Sequence, residues 1–570
     1  MTAFAFGEAA KPAANTNSFW KKLGDFLSGA AQARENINPD DTWKERTALD
    51  AEAIRQAAAR IDSVAAKVQE KRKVTPLPRA SDEVFVRRAY LDLGGRIPTL
   101  AERDRFMAES DPGKRAALIL RLVQSEDYVN HSYNYWAGLL RIQTRMGGNP
   151  MTNYITWVKN AIRDNMPYDT FVRKLVTATG ESTPDNGATG FAIRDFQQGI
   201  LDHVSQISTV FLGSQIGCAM CHNAKFEKWK QTDFYALTAY FSEVSIYKDP
   251  YVMRKLREQE VAASGSPQEV GKLRRQMNEY PFTVADKGGQ EQHLPKDYKY
   301  DPSMAGGVID PGVLYGEAPE EKRNENRRQT FARWLTAPEN PNFTRSVANR
   351  LWANMFGLAL IQPVDDLSDN NAPSSAEMMN EITSLMISLK YNLKAFTAAI
   401  AMSESWQRAT SPDMTGHDNF AFESHPLRRL SAEQIWDSLL VLALGDRLRP
   451  QAPVAMNAEN GQGMAMNTSM NSASANNSQM SGQTMSPAPQ MQMGQMGMEE
   501  GKYRKGHWDR GQGFMSLSSE QIQPPQTGGF LEQFGAPMRD IVSVGSAEPS
   551  IAQTLTLMNG RETTRFSGPM

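Results

Sequence analysis

The stretch Ser81 to Ser125, SDEVFVRRAYLDLGGRIPTLAERDRFMAESDPGKRAALILRLVQS, decides the fold class, because helix starts follow one another along it. Ser81 stands before Asp82 and Glu83, a hydroxyl ahead of an acidic first turn. Thr99 and Glu102 have the spacing of a capping box, in which each side chain accepts a hydrogen bond from the other residue's amide. Asp111-Pro112 reads as an N-cap with proline at the first helical position, ahead of Arg115 to Ser125. The stretch is a helical array.

The array continues downstream. Tyr128, Tyr133, Tyr135 and Trp136, then Tyr154, Trp157, Ile162, Phe171 and Leu175, keep a helical spacing as far as Gly180. With no polar groups converging on them, these aromatics read as core. After the loop Gly180 to Gly190, Leu201 to Ile216 reads as a helix with a cysteine motif at its C-terminal edge, and Phe226 to Phe241 as a further helix. Residues 246–326 are polar and turn-rich, with a charged helix near Met253 to Tyr280. A second helical block begins at Arg327, marked by Trp334, Leu351, Trp352, Phe356, Met378 to Leu389 and Leu393 to Trp406. Ser431 and Gln434 cap one more helix, to about Leu444.

Upstream, residues 1–73 combine a polar Ala/Asn/Pro lead with a helical stretch from Trp43 to Lys73, and Pro76 and Pro78 then break the pattern. Residues 451–515 form a low-complexity insert of Met, Gln, Asn, Ser and Gly, which buries too little apolar area to offset its chain entropy and is expected to be disordered. Ten of the 29 methionines fall in its first part, residues 451–500, a composition that suits Cu(I). A tolerated loop insertion is the simpler reading, because lengthening a loop costs little.

Composition removes several function classes. Across 570 residues, 62 basic and 64 acidic side chains leave a formal charge of −2, so no global field draws the chain to nucleic acid. No apolar run of about 18 residues is present to span a bilayer. Met1 to Ala10 lacks the basic and apolar regions of a signal peptide, although Ala3 to Ala10 has the look of the tail of one that begins further upstream. No nucleophile elbow, phosphate loop, zincin helix or paired carboxylate survives its context, and Asp365-Asp366 reads as a capping or solvated turn.

The two cysteines of the chain sit together in Cys218-Ala219-Met220-Cys221-His222. In c-type haem attachment two thiols add across the porphyrin vinyl groups while the adjacent imidazole takes an axial iron position, which requires this spacing. Other chemistries share part of it: a zinc half-site, a thioredoxin-type dithiol, and a local Cys218–Cys221 disulfide. His203, on the preceding helix, is the candidate second axial ligand to the iron held by His222.

A family resemblance rests on many residues. Phe85-x-Arg87-Arg88-x-Tyr90-Leu91-Asp92-Leu93, Gly95-Arg96-Ile97-Pro98-Thr99, Asn165-Met166-Pro167-Tyr168-Asp169 and Cys218 to Asn223 carry it in the first block. Asn349-Arg350-Leu351-Trp352, Pro363-Val364-Asp365-Asp366-Leu367, Arg428 to Gln434 and Glu548-Pro549-Ser550 carry it in the second. The chain resembles the planctomycete-type cytochrome-like family of unknown function followed by its habitual partner domain. The resemblance implies an exported, mostly helical protein associated with c-type cytochrome motifs. Two departures stand out: Ala224 where relatives commonly carry a second histidine, and a cysteine-free Ile541 to Ala547 where they carry a short cysteine-rich element. The chain also stops at Met570, soon after a motif that relatives follow with another helical segment, as a fragment or a shortened paralogue would.

The expected fold is mainly α: two helical domains with long irregular loops and one disordered Met/Asn/Gln-rich insert. The expected organisation is a lead and helix at 1–73, a cytochrome-like domain at 81–245, a polar connection at 246–326, a partner domain at 327–450, the insert at 451–515, and the rest of the partner domain at 516–570. The leading functional expectation is an exported, periplasmic or cell-surface mono-haem c protein serving electron transfer or redox sensing, with haem c on Cys218, Cys221 and His222 and a redox partner. The alternatives are a haem-free extracellular structural or binding protein with a local disulfide, and an enzyme acting on an extracellular polymer. Neither nucleic acid nor a transmembrane segment is expected.

Overall fold

Cap chemistry decides where the first helices begin. In the computed structural model, which describes residues 40–196, 199–225, 228–411, 417–448, 516–546, 548–560 and 563–564, helix α1 spans Ala51–Arg72, α2 Asp82–Gly94, α3 Leu100–Ala108, α4 Lys114–Leu122 and α5 Glu126–Leu139. Asp50 accepts from the Glu52 and Ala53 amides at the start of α1, Ser81 is the N-cap residue of α2, and Thr99 with Glu102 forms the expected capping box of α3. One start differs from the sequence reading. Asp111 Oδ1 accepts from the Gly113 amide at 2.7 Å, which closes a turn on Pro112 and delays α4 to Lys114.

Helices α6 (Thr152–Arg163), α7 (Tyr168–Thr177), α8 (Gly190–Phe196), α9 (Ile200–Leu212) and α10 (Gln231–Thr238) complete the first block. The helix expected over Leu201 to Ile216 stops at Leu212, because Gly213 turns left-handed at φ 56° and a side chain there would meet Leu367 Cγ at 2.7 Å. The single charged helix expected near Met253 to Tyr280 is two, α11 (Pro250–Ala262) and α12 (Pro267–Glu279), packed on each other. Gly265 and Pro267 separate them. A small antiparallel sheet went unread in the sequence: Thr283–Asp286 lies between Gly180–Glu181 and Val244–Tyr247. Its strands are too short for a period-2 pattern to show.

The polar connection joins the blocks through that sheet. Asp286 takes both Nε and Nη2 of Arg328 at 2.8 Å, in the first turn of α13 (Arg327–Leu335). Helices α14 (Pro341–Phe356), α15 (Ala376–Ser388), α16 (Leu393–Met402), α17 (Glu404–Gln407), α18 (Ala432–Leu444), α19 (Phe530–Gln533) and α20 (Ile551–Asn559) follow. Helix α14 packs on α9 of the first block and on α15, while α1, ahead of the prolines at 76 and 78, packs on α15 and α16. One buried apolar cluster therefore runs from Ile54 to Phe422 through both blocks. The chain is mainly α-helical, as expected.

Trp352, fully buried on α14, stacks on Phe356 at 4.3 Å between centroids and meets Phe422 edge to face. Truncation of such a residue typically costs about 3 to 5 kcal/mol. A smaller cluster forms where Trp436 and Leu440 of α18 meet Phe530 of α19 and Phe534 just after it. This brings together the flanks of the insert read at 451–515, which itself lies outside the described residues, as does the polar lead before residue 40.

Asp437 is buried at that junction and accepts from the amide and hydroxyl of Ser518 at 2.8 and 2.6 Å. Burial pushes its carboxyl up to about 7, against those two hydrogen bonds. A folded-state value above the unfolded one means that the native protein holds the extra proton. The stabilisation is then complete below about pH 4 and is lost as pH rises through 7. The Asp437→Asn variant should flatten that decline and gain on the wild type between pH 5 and pH 8 by on the order of a few kcal/mol. Urea unfolding at the two pH values measures it, and parallel curves for both proteins would contradict the assignment.

Candidate cofactor-attachment site

The cysteine motif hangs from the end of α9. After Gly213 the chain buries Ile216 and enters a 3-10 turn, Gly217–Met220. With three residues per turn, positions i and i+3 eclipse. Cys218 and Cys221 therefore share a face, and both are exposed and unbridged, while Ala219 between them is fully buried. The amides of Cys221 and His222 both reach the Cys218 carbonyl at 3.3 Å. At Gly217 a side chain would come within 3.1 Å of Ser205 Oγ on α9, so the turn packs back along that helix.

His222 is half-buried, and its Nδ1 lies 2.8 Å from the Asn223 carbonyl oxygen. A carbonyl only accepts, so in the neutral ring Nδ1 carries the hydrogen and Nε2 the lone pair. Asn223 is held in turn: its amide donates to Tyr300 Oη at 2.8 Å, and its Oδ1 accepts from the Gln231 amide at 2.9 Å. Gln231 also donates through Nε2 to the Met220 carbonyl at 3.1 Å. Aromatic rings flank the turn. Trp229 meets Tyr315 edge to face at 5.3 Å with Lys228 over both rings, and Tyr298 packs on Tyr300 at 5.6 Å. Burial raises the Tyr235 hydroxyl pKa, with the neighbouring Cys221 adding to the shift.

The structure gathers three of the sequence-predicted residues, Cys218, Cys221 and His222, in one turn, and leaves His203 elsewhere. His203 is 1 % exposed, packed between Phe191 and Phe241, with Nδ1 3.2 Å from Asp195 Oδ2. Ser205 is the α9 residue that faces the motif, and His203 is two positions earlier, about 200° around the helix. His203 is thus a core histidine in the described structure, turned away from the motif.

The other described histidines are also committed elsewhere. His425 packs on Phe356, His417 reaches the Leu360 carbonyl, His293 is exposed, and burial holds His131 down at about 4. Among the described residues no three of His, Cys, Asp and Glu gather closely enough to hold a metal ion, so the zinc reading finds no partner set there. Asp366 closes its own turn by accepting from the Ser368 amide at 3.1 Å. The supporting residues Asn223, Tyr300, Gln231 and Tyr235 were not read from the sequence. Asn223 adjoins the motif, but Tyr300 lies 77 residues further on, with no local signal to mark it.

Residues 60–246 match the family model PSCyt2, a protein of unknown function (DUF1549), and residues 327–569 match PSD1, a protein of unknown function (DUF1553). The chain belongs to the proteins that carry these two domains in this order. The motif lies near the C-terminal end of the PSCyt2 segment, and α13 opens the PSD1 segment, followed by α14. No curated protein and no solved structure matches the chain. No described helix is long and apolar enough to cross a membrane.

The exposed, unbridged thiols give a direct expectation. Maleimide treatment of the folded, reduced, haem-free protein should place two adducts on it by intact mass, both lost when Cys218 and Cys221 become Ala. Labelling that appears only after unfolding would contradict the described turn.

Proposed function

We propose that this PSCyt2–PSD1 protein is an exported mono-haem c protein of electron transfer or redox sensing, with Cys218 and Cys221 as the thioether attachment points and His222 as the axial ligand through Nε2. The observation that carries this reading is the His222 Nδ1 hydrogen bond to the Asn223 carbonyl at 2.8 Å, which leaves Nε2 as the ligating nitrogen. Two exposed thiols on one face of a single turn are the other half of the donor set. Bound there, haem c would supply a one-electron carrier whose potential depends on the axial ligands and the surrounding dielectric. The chain's own contribution is to fix the imidazole tautomer and ring through Asn223, to anchor the turn by burying Ala219 and Ile216, and to flank it with Trp229 and Tyr300. A redox partner follows from this reading.

A second reading is supported by the same turn. Residues at i and i+3 with the amide of Cys221 on the carbonyl of Cys218 lie within about 7 Å between Cα atoms, close to the range a disulfide needs. The alternative is a haem-free extracellular structural or binding protein with a Cys218–Cys221 bridge.

Expression in a host with c-type maturation machinery, followed by intact-mass analysis and absorption spectroscopy, separates the two. The haem reading expects one covalent haem, a redox-active Soret band, loss of the adduct in the Cys218→Ala/Cys221→Ala variant, and a shifted spectrum with retained haem in His222→Gly. A bare polypeptide mass, or one lower by two hydrogens, sinks it.

A further inference from the structure

A second polar cluster, apart from the cysteine motif, is enclosed where the PSCyt2 and PSD1 segments meet. Arg141, Arg194 and Arg539 are at most 2 % exposed. Arg141 follows α5 at φ 52°, where the Ile142 amide bonds the Ala137 carbonyl, a helix end that ordinarily takes glycine. Arg539 is likewise left-handed at φ 61°. Both conformations penalise a residue with a Cβ, and such strain persists only where the surroundings demand it. The two carbonyls so placed receive Arg194, whose Nε donates to the Arg141 oxygen at 2.8 Å and Nη2 to the Arg539 oxygen at 3.0 Å.

The charges do not balance. Arg141 Nη2 takes both neighbouring carboxylates, Asp195 at 2.6 Å and Asp202 at 2.7 Å, which leaves three guanidinium groups against two carboxylates. Four buried polar atoms reach no partner at full hydrogen-bond geometry, Arg194 Nη1, Arg539 Nε and Nη2, and Tyr154 Oη, and the neutral Tyr133 hydroxyl beside Arg539 does not offset its charge. Arg539 also lies beside the Tyr133 ring, 5.9 Å from its centroid. Burial and the Arg141 charge lower the Arg194 pKa, with Asp195 and Asp202 opposing them. Enclosing unused guanidinium donors together with a surplus positive charge is expensive unless an anion meets them. Asp195 and Asp202 close by would repel a doubly charged oxyanion more than a singly charged one.

We propose that Arg194, Arg539 and Tyr154 bind a small monovalent anion of the halide class inside the protein, tying the PSD1 residue Arg539 to the PSCyt2 helices α6 and α8. Nothing in this depends on haem attachment.

Thermal unfolding of the full chain is measured at constant ionic strength while chloride replaces isethionate. The midpoint should rise with the logarithm of chloride concentration. In Tyr154→Phe, which removes one donor without changing the ring, the same rise should require roughly tenfold more chloride. Crystals soaked in bromide should show an anomalous peak between Arg194 and Arg539. A wild-type midpoint indifferent to chloride, or bromide crystals with no peak among these three residues, would overturn the proposal and leave the cluster as a hydrated structural clamp.

Discussion

Helix α14 is buried along nearly its whole length, and the rest of the molecule is arranged to make that tolerable. A helix carrying Asn, Thr and Arg enters an interior at lower cost the more of its polar groups find partners there, and on α14 most do, with Ser346 Oγ, Arg350 Nε and Trp352 Nε1 among the exceptions. Asn349 meets the demand by donating to the Ile361 carbonyl and accepting from the Leu360 and Ile361 amides, at 2.9 to 3.0 Å. Thr344 pairs with Tyr391 at 2.8 Å, and Arg350 reaches across to the Thr209 carbonyl of α9 at 2.8 Å. One of these partners, Thr209, belongs to the PSCyt2 segment, so the helix joins the two family segments in one core.

That central helix also reaches the cysteine motif. Asn342 donates to Tyr315 Oη at 2.9 Å, Ser214 shares the same hydroxyl at 2.8 Å, and the Tyr315 ring packs on Trp229 beside the turn. The exposed thiols are therefore carried on a rigid support. Exposure for chemistry and rigidity for orientation are met by different residues: Cys218 and Cys221 face out, while Ala219 and Ile216 face in.

His203 shows what spacing along a helix leaves open. Its sequence offered an imidazole on the helix before the motif, and only the rotation of α9 assigned it to a wall of Phe191 and Phe241 with Asp195 on its nitrogen. Asn223 and Tyr300 show the opposite case. Their roles are backbone hydrogen bonds across a fold, which leave no mark on residue spacing.

Local chemistry was legible from the residues alone. The capping boxes at Thr99 and Ser431, the helical class of the chain, and the Cys218-x-x-Cys221-His222 spacing follow from residues within about four positions along the backbone. Tertiary structure decided what sequence distance hides: the placing of α1 against α15 and α16, the three-stranded sheet that carries Asp286 to Arg328, the fate of His203, and the enclosed cluster of Arg141, Arg194 and Arg539. The reason is physical. Hydrogen-bond caps and helical periodicity act between neighbours in the chain, whereas burial and charge compensation are set by whichever segments fold against one another.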